Sequence, residues 1–417
     1  MHRRTIRRAA ASGLFGLALL ALSPVPGSAG SRAKPVDPFF VPPPNAGAVE
    51  QIADLKAAGD RVNARRLAQM VQTSQAVWFE GGTPREVTAG VRATMRAAAR
   101  QRAVPILVVY NIPFRDCAQF SAGGATNVEE YLAWIDGFAA GIGSGRAIVI
   151  LEPDGLGIIP FYTPIGTTTM EWCQPPEADP ATAASDRFLM LNEAVDRLGS
   201  LPNAHVYLDG THSAWLGSGD AAHRLDQAGV QRADGFFVNV SNYRLTEHLE
   251  RYATWISKCL AFANNPEEGG WRLGHYDWCA SQYFPADPND FSTWHLSDEW
   301  YDANLGSAVP TAHFVIDTSR NGQGPWTPPA GVYPDPQDWC NPPGRGLGLR
   351  PTDATGVPLL DAYVWVKTPG ESDGECTRGL GPAGTTVDPE WGIVDPGAGD
   401  WFPQQALQLV QLANPAI

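Results

Sequence analysis

Short runs of apolar, often β-branched residues recur along this chain, and most are apolar at every position instead of alternating with polar ones. Seven can be counted, at 76–79, 105–110, 147–151, 205–208, 235–240, 313–316 and 362–366. A strand apolar on both faces is buried on both faces, which is the condition of parallel strands covered by helices. Between several of the runs lie stretches with helical spacing, at 47–68, 88–100, 128–141, 185–199 and 221–229, and a further one at 249–263. Strand alternating with helix predicts an α/β fold, a (β/α) barrel of about seven parallel strands with its site at their C-terminal ends. A doubly wound open sheet is the alternative, because closure of a sheet leaves no mark in the spacing.

Two stretches break the rhythm. Residues 247–310 follow their helix with an aromatic-rich insertion, and 368–400 form a long loop full of glycine and proline. Long loops in a compact domain are usually functional. At the start, Arg3, Arg4, Arg7 and Arg8 precede a mostly apolar stretch and then Gly27-Ser28-Ala29. That order predicts a secretory signal peptide over 1–29, by the general or the twin-arginine route. A proline-rich arm over 30–46 would follow, and then a catalytic domain over 47–417. No Pro/Thr/Ser linker points to a tethered binding module.

Export changes the reading of charge and cysteine. The chain carries 30 Lys and Arg against 44 Asp and Glu, net −14, and loss of the four leader arginines would make it −18. Such a surface repels a phosphate backbone and is compatible with neutral polysaccharide, although acidity also serves solubility alone. Six cysteines in an exported chain predict three disulfides, with fifteen pairings open. No second apolar span follows the leader, so a soluble protein is expected, without membrane or nucleic-acid partners and acting as a monomer.

Candidate chemistry gathers where the strands end. Asp116, Asp154, Asp209, Asp317 and Asp373 each sit at or just after one of the apolar runs. One such aspartate is readily a helix cap. Five around one mouth would repel unless protonated, hydrogen-bonded or paired with Arg115, Arg320 or Lys367, so raised pKa values are expected.

The most specific segments are Val109-Tyr110-Asn111-Ile112-Pro113-Phe114-Arg115-Asp116-Cys117 and Ile150-Leu151-Glu152-Pro153-Asp154-Gly155-Leu156. Further segments run through Leu208-Asp209-Gly210-Thr211-His212-Ser213-Ala214-Trp215, Asp317-Thr318-Ser319-Arg320-Asn321-Gly322, Asp338-Trp339-Cys340-Asn341-Pro342 and Val366-Lys367-Thr368-Pro369-Gly370-Glu371-Ser372-Asp373. In this order, from about residue 38 to the C-terminus, the chain resembles the family 6 glycoside hydrolases, cellulases that cleave β-1,4-glucan with inversion. The resemblance implies a distorted barrel of seven strands. It implies Asp154 as general acid, Asp116 as the neighbour that keeps its proton in place, and Asp373 as the disputed candidate base, acting on a water directly or through a second one. Inversion needs room for that water, with carboxyls about 6.5–9.5 Å apart or more. Tyr110 would help distort the ring, and Arg115 would orient the aspartate pair. Trp215 and Trp339 would stack on sugar either side of the cleavage point, Lys367 and Glu371 would bind hydroxyls, and His212 would line the cleft. By the same resemblance Cys117 pairs with Cys173 and Cys340 with Cys376, and Cys259 and Cys279 remain as the third pair. Trp134 and Trp365 read as core.

The chain departs from the family in places. Asn45 and Ser218 stand where fungal members have tryptophan, and Ala122 where many have a serine that holds a water. The long loop after Lys367 favours a partly covered cleft that releases cellobiose from chain ends, whereas the absent outer tryptophans favour internal cutting. A non-catalytic glucan-binding protein is the reading from a different class, and retention of both Asp154 and Asp116 speaks against it. There is no HExxH, G-x-S-x-G or P-loop motif. The glycines of 344–348 follow a turn, not a strand, so no dinucleotide, metal or other cofactor is implied.

Overall fold

The computed structural model describes residues 38–266 and 270–417. The expected signal peptide and the arm up to residue 37 lie outside the described residues. Seven strands form one parallel sheet in strict chain order: β1 (Val77–Phe79), β2 (Ile106–Val109), β3 (Ala147–Leu151), β4 (Ala204–Asp209), β5 (Gly235–Val238), β6 (His313–Asp317) and β7 (Leu360–Val364). The sheet curls, and alternate residues serve two cores. Ile106, Val108, Ile148, Ile150, Val315 and Val364 fill the concave interior, closed by Tyr110 at the C-terminal ends of the strands and by Tyr207 at the other, where its hydroxyl donates to Asp361 near the start of β7. Leu107, Val109, Val149, Leu151, Val206 and Leu208 turn outward under the helices. Both sets are buried, at about 1.5–3 kcal/mol per large side chain. This is why the runs lack alternation.

Closure is partial. Strand pairing among the described residues runs from β1 to β7 and does not join β7 back to β1. Across that seam the Ala76 amide donates to the Trp365 carbonyl at 2.9 Å, and the Trp78 indole N–H donates to the Val366 carbonyl at 2.9 Å. The result is a distorted barrel, and the open doubly wound alternative is set aside.

Helices α3 (Pro84–Gln101), α4 (Val128–Ile142), α5 (Ala183–Gly199), α6 (Ser218–Gln227) and α7 (Thr246–Ala263) cover the convex face close to their expected positions. The early start of α3 follows from Thr83, whose side chain accepts from the Glu86 amide while Glu86 accepts from the Thr83 amide, with Pro84 at the first helical position. The single helix expected over 47–68 is instead two, α1 (Ala46–Ala57) and α2 (Arg61–Val71). Gly59 at φ 85° stops the first, and Asp60 caps the second by accepting from the Asn63 amide. Sequence spacing also misses α9 (Pro403–Gln411), whose Leu409 and Val410 pack with Leu67, Met70 and Trp365. Trp134 and Trp365 are core, each with its indole N–H on a backbone carbonyl. The visible part of the arm is pinned to β2 by two bonds between Pro38, Phe40 and Val104.

The aromatic-rich insertion folds back on α7. It contains α8 (His295–Asn304), buries Trp294 against Trp255 and Tyr301 with its hydroxyl on the Ala280 carbonyl, and is tied by Cys259–Cys279. The other disulfides are Cys117–Cys173 and Cys340–Cys376. Their sequence separations are 56 residues for Cys117–Cys173 and 20 for Cys259–Cys279. The entropy of the unfolded loop makes the longer one worth about 1 kcal/mol more, within a range of about 2–4 kcal/mol for each. Replacing Cys117 and Cys173 by serine should therefore lower unfolding free energy in guanidinium more than the same change at Cys259 and Cys279. Equal losses would mean that the short loop is also holding native packing.

Candidate active site

Where a parallel strand ends, the amides of the next loop lose their ladder partners, and three buried carboxylates take them up. Glu152, fully buried, accepts from the Asn111 amide at 3.0 Å and the Ile112 amide at 3.1 Å. Asp209 accepts from Leu156, Gly157 and Thr211, and Asp317 from Ser319, Ser241, Val366 and Lys367. Buried Arg187 adds three bonds, to the carbonyls of Pro113, Gly155 and Ile158, tying the loop after β2 to the loop after β3. Those loops carry left-handed backbone at Phe114, Asp116, Cys117, Glu152 and Asp154. Each such residue outside glycine costs of order 1–3 kcal/mol and persists only when its surroundings hold it.

So of the five aspartates expected around one mouth, the structure divides the set. Asp209 and Asp317 are amide clamps beneath the floor, whereas Asp116, Asp154 and Asp373 line a cavity of about 600 Å³ at the C-terminal ends of the strands. The same cavity is lined by every other expected ligand contact: Tyr110, Arg115, His212, Trp215, Trp339, Lys367 and Glu371.

The three lining carboxylates differ in charge. Burial pushes the Asp154 carboxyl well above its usual range, and the charges of Asp209, Asp116 and Asp373 push it further. Burial raises Asp116 to about 6, against the pull of the Ser121 amide and Arg115. Asp373 is the opposite case. Burial alone would raise it, but Arg320 grips both its oxygens at 2.9 and 3.0 Å, and Lys367 lies at 3.7 Å. Tyr243 and the Asn341 amide donate to it as well, so its pKa falls below the ordinary value. His212 is driven well down by burial and is neutral.

Arg115 differs from expectation. Its guanidinium donates to the carbonyls of Glu80, Tyr110, Ser121 and Ala122, and packs over the Tyr110 ring at 4.5 Å. It binds the loop to β1 and acts on Asp116 through charge alone. Trp215 rests on Gly157, where a Cβ would come within 2.5 Å of the indole. Trp339 meets Phe120 at 5.9 Å, and Phe120 also crosses Gly374, where a Cβ would lie 2.4 Å from its own. Asn45 donates to Glu371 at 3.0 Å and so reaches the site without offering a ring. Ser218 is buried in α6 and donates to the Ala280 carbonyl. Among the described residues, none of 250–310 lines the cavity, so what is described of the long insertion shapes its surroundings only. Sequence reasoning missed Trp78, Trp172, Tyr243 and Arg244; the first sits in a strand that reads as plain core.

Carboxyls of unequal pKa facing one cavity between tryptophan faces are the arrangement of a glycoside hydrolase. Residues 35–413 match the glycosyl hydrolases family 6, and the chain belongs to that family. It is 35% identical over 301 residues to endoglucanase A of Thermobispora bispora, an alignment covering 71% of this chain and 50% of that protein. It is 32% identical to a probable 1,4-beta-D-glucan cellobiohydrolase C of Neosartorya fischeri, over 79% of this chain and 66% of the other. The chain thus spans about half the length of the first of these relatives. Among solved structures, the endoglucanase Cel6 of Mycobacterium tuberculosis, in complex with methyl-cellobiosyl-4-deoxy-4-thio-β-D-cellobioside, superposes with a TM-score of 0.62 at 32% identity, over 90% of this chain and 97% of that one.

The buried carboxyls give stability a pH dependence. Glu152 is raised to about 7 and Asp209 to about 6, both by burial, as is Asp116. A raised pKa stabilises fully below the unfolded value, 3.8 or 4.5, and that contribution is lost as pH climbs through 6–7. Asp373, held low, contributes above 3.8 and loses its contribution as pH falls through its depressed value. Scanning calorimetry should accordingly give a higher Tm near pH 5 than near pH 8; the reverse order would mean that other groups dominate.

Proposed function

We propose that this chain is a secreted, inverting cellulase that hydrolyses β-1,4-glucosidic bonds in cellulose and cello-oligosaccharides. The observation that carries the reading is the contrast between Asp154, whose carboxyl burial and neighbouring acids push well above its usual range, and Asp373, held below its usual range by Arg320 and Lys367 in the same cavity. Asp154 donates its proton to the glycosidic oxygen. Asp116, close enough to raise Asp154, keeps that proton in place until the bond breaks. Asp373 carries the negative charge that draws a proton from the attacking water. Its hold by Arg320, Tyr243 and Asn341 makes it a weak base, acting on that water directly or through a second one. Tyr110 presses the ring at the cleavage point, with Trp215 and Trp339 as platforms either side, Lys367 and Glu371 on hydroxyls, and His212 as neutral wall. The oligosaccharide in the Mycobacterium tuberculosis structure supports β-1,4-glucan as ligand. The arginine-led leader over 1–29 and three disulfides support export.

Asp154→Asn keeps the shape and cannot deliver the proton, so kcat on cello-oligosaccharides should drop by about 10²–10⁴-fold or more while cellohexaose still binds. Near-normal turnover of unactivated cello-oligosaccharides would remove Asp154 from the role.

On the position of the cut, the bridge from Phe120 to Trp339 and Gly374 supports a partly covered cleft that releases cellobiose from chain ends. The second reading, internal cutting, is supported by the want of a ring at Asn45 and Ser218 and by the endoglucanases among the relatives. Viscosity of carboxymethylcellulose against reducing ends released separates them: a covered cleft leaves viscosity high, and an early collapse makes this an endoglucanase.

A further inference from the structure

Trp172 is 57% exposed and lines the catalytic cavity, yet no ring, ion pair or hydrogen bond engages its indole among the described residues. The exposed indoles outside the cavity, Trp271 and Trp278, are already occupied. Trp278 has His275 stacked on it at 3.7 Å and Trp271 beside it at 5.7 Å.

The backbone that carries Trp172 is held on both sides. The Glu171 amide donates to the Tyr162 carbonyl at 2.8 Å, and the Phe161 amide donates to the Cys173 carbonyl at 2.9 Å. The Glu171 carboxylate pairs with buried Arg224, itself fixed by Asp220 at 2.8 Å and lying 4.6 Å over the Tyr162 ring. Cys173 is bonded to Cys117, beside Asp116. An indole left bare on a backbone anchored this firmly is preorganised for a flat apolar partner, with little ordering entropy left to lose.

Topology says which part of the ligand that is. Asp154 and Trp172 follow β3 and Trp215 follows β4, whereas Lys367, Glu371 and Asp373 follow β7. The acid protonates the leaving oxygen, so the departing sugars lie towards β3 and β4. After Trp215 the chain turns into α6 with Ser218 buried, so this segment supplies no further ring of its own, and the ring beside it, Tyr283, lies outside the cavity with its hydroxyl on the Trp215 carbonyl.

We propose that Trp172 is an additional sugar platform on the leaving-group side, recognising a glucosyl unit beyond the one stacked on Trp215 and so favouring longer chains. This rests on the cellulase reading. Trp172→Ala should raise KM for cellohexaose by about three- to tenfold. KM for cellotetraose should move less than twofold, and kcat on cellohexaose should fall far less than KM rises. Trp172→Tyr should restore most of the loss, and Trp278→Ala, remote from the cavity, should match wild type. Calorimetry of cellohexaose on the Asp154→Asn background reads the same platform without turnover, and there Trp172→Ala should weaken Kd by the same factor. An unchanged KM and Kd, or an equal change for both chain lengths, would overturn the platform while leaving the cellulase reading intact. Failure of the parent protein to bind or cleave cellohexaose would overturn that reading itself, and the platform with it.

Discussion

The arrangement depends on what happens to backbone amides where parallel strands stop. Inside the sheet each amide has a carbonyl on the neighbouring strand, and one residue beyond the end it has none. A buried amide without a partner costs free energy comparable to a lost hydrogen bond. Here the partner is a carboxylate sent across from an adjacent strand: Glu152 from β3 to the loop after β2, Asp209 from β4 to the loop after β3, Asp317 from β6 to the loops after β5 and β7. The loops that carry Asp116, Asp154 and Lys367 therefore take their course from carboxyl groups beneath them.

That solution has an electrostatic consequence. Acids set under the floor repel acids set above it, and Asp209 is the first of the charges that push Asp154 upward. Only Asp373 escapes, because Arg320 and Lys367 converge on it. One construction principle thus fixes the loops, strains them into left-handed backbone, and separates the titration of the groups they present.

Much of this was legible in the chain. Unbroken apolar runs reported burial on both faces, and all seven became strands, because tertiary packing and local preference agreed there. The break between α1 and α2 was written at Gly59 and Asp60, but the apolar spacing continues across it and outweighs a two-residue stop. Division of the aspartates into clamps and cavity-facing groups was not legible, since residues at strand ends look alike until the direction of each side chain is known. Arg115 looked like a partner for carboxylates and instead satisfies carbonyls, a choice set by loop geometry. Trp172 lies in an irregular segment with no periodicity to mark it, and only the cavity brings it into one site with Asp154.

The seam between β1 and β7 is held by one backbone bond and one indole bond, and side chains that face the cavity stand on both banks of it: Trp78 and Glu80 on one, Lys367 and Glu371 on the other. A sugar bridging those banks would act as a clasp, supplying from outside the cross-links that the missing eighth strand would have given. On the proposed reading, the loaded protein would then be stiffer than the empty one along that single line.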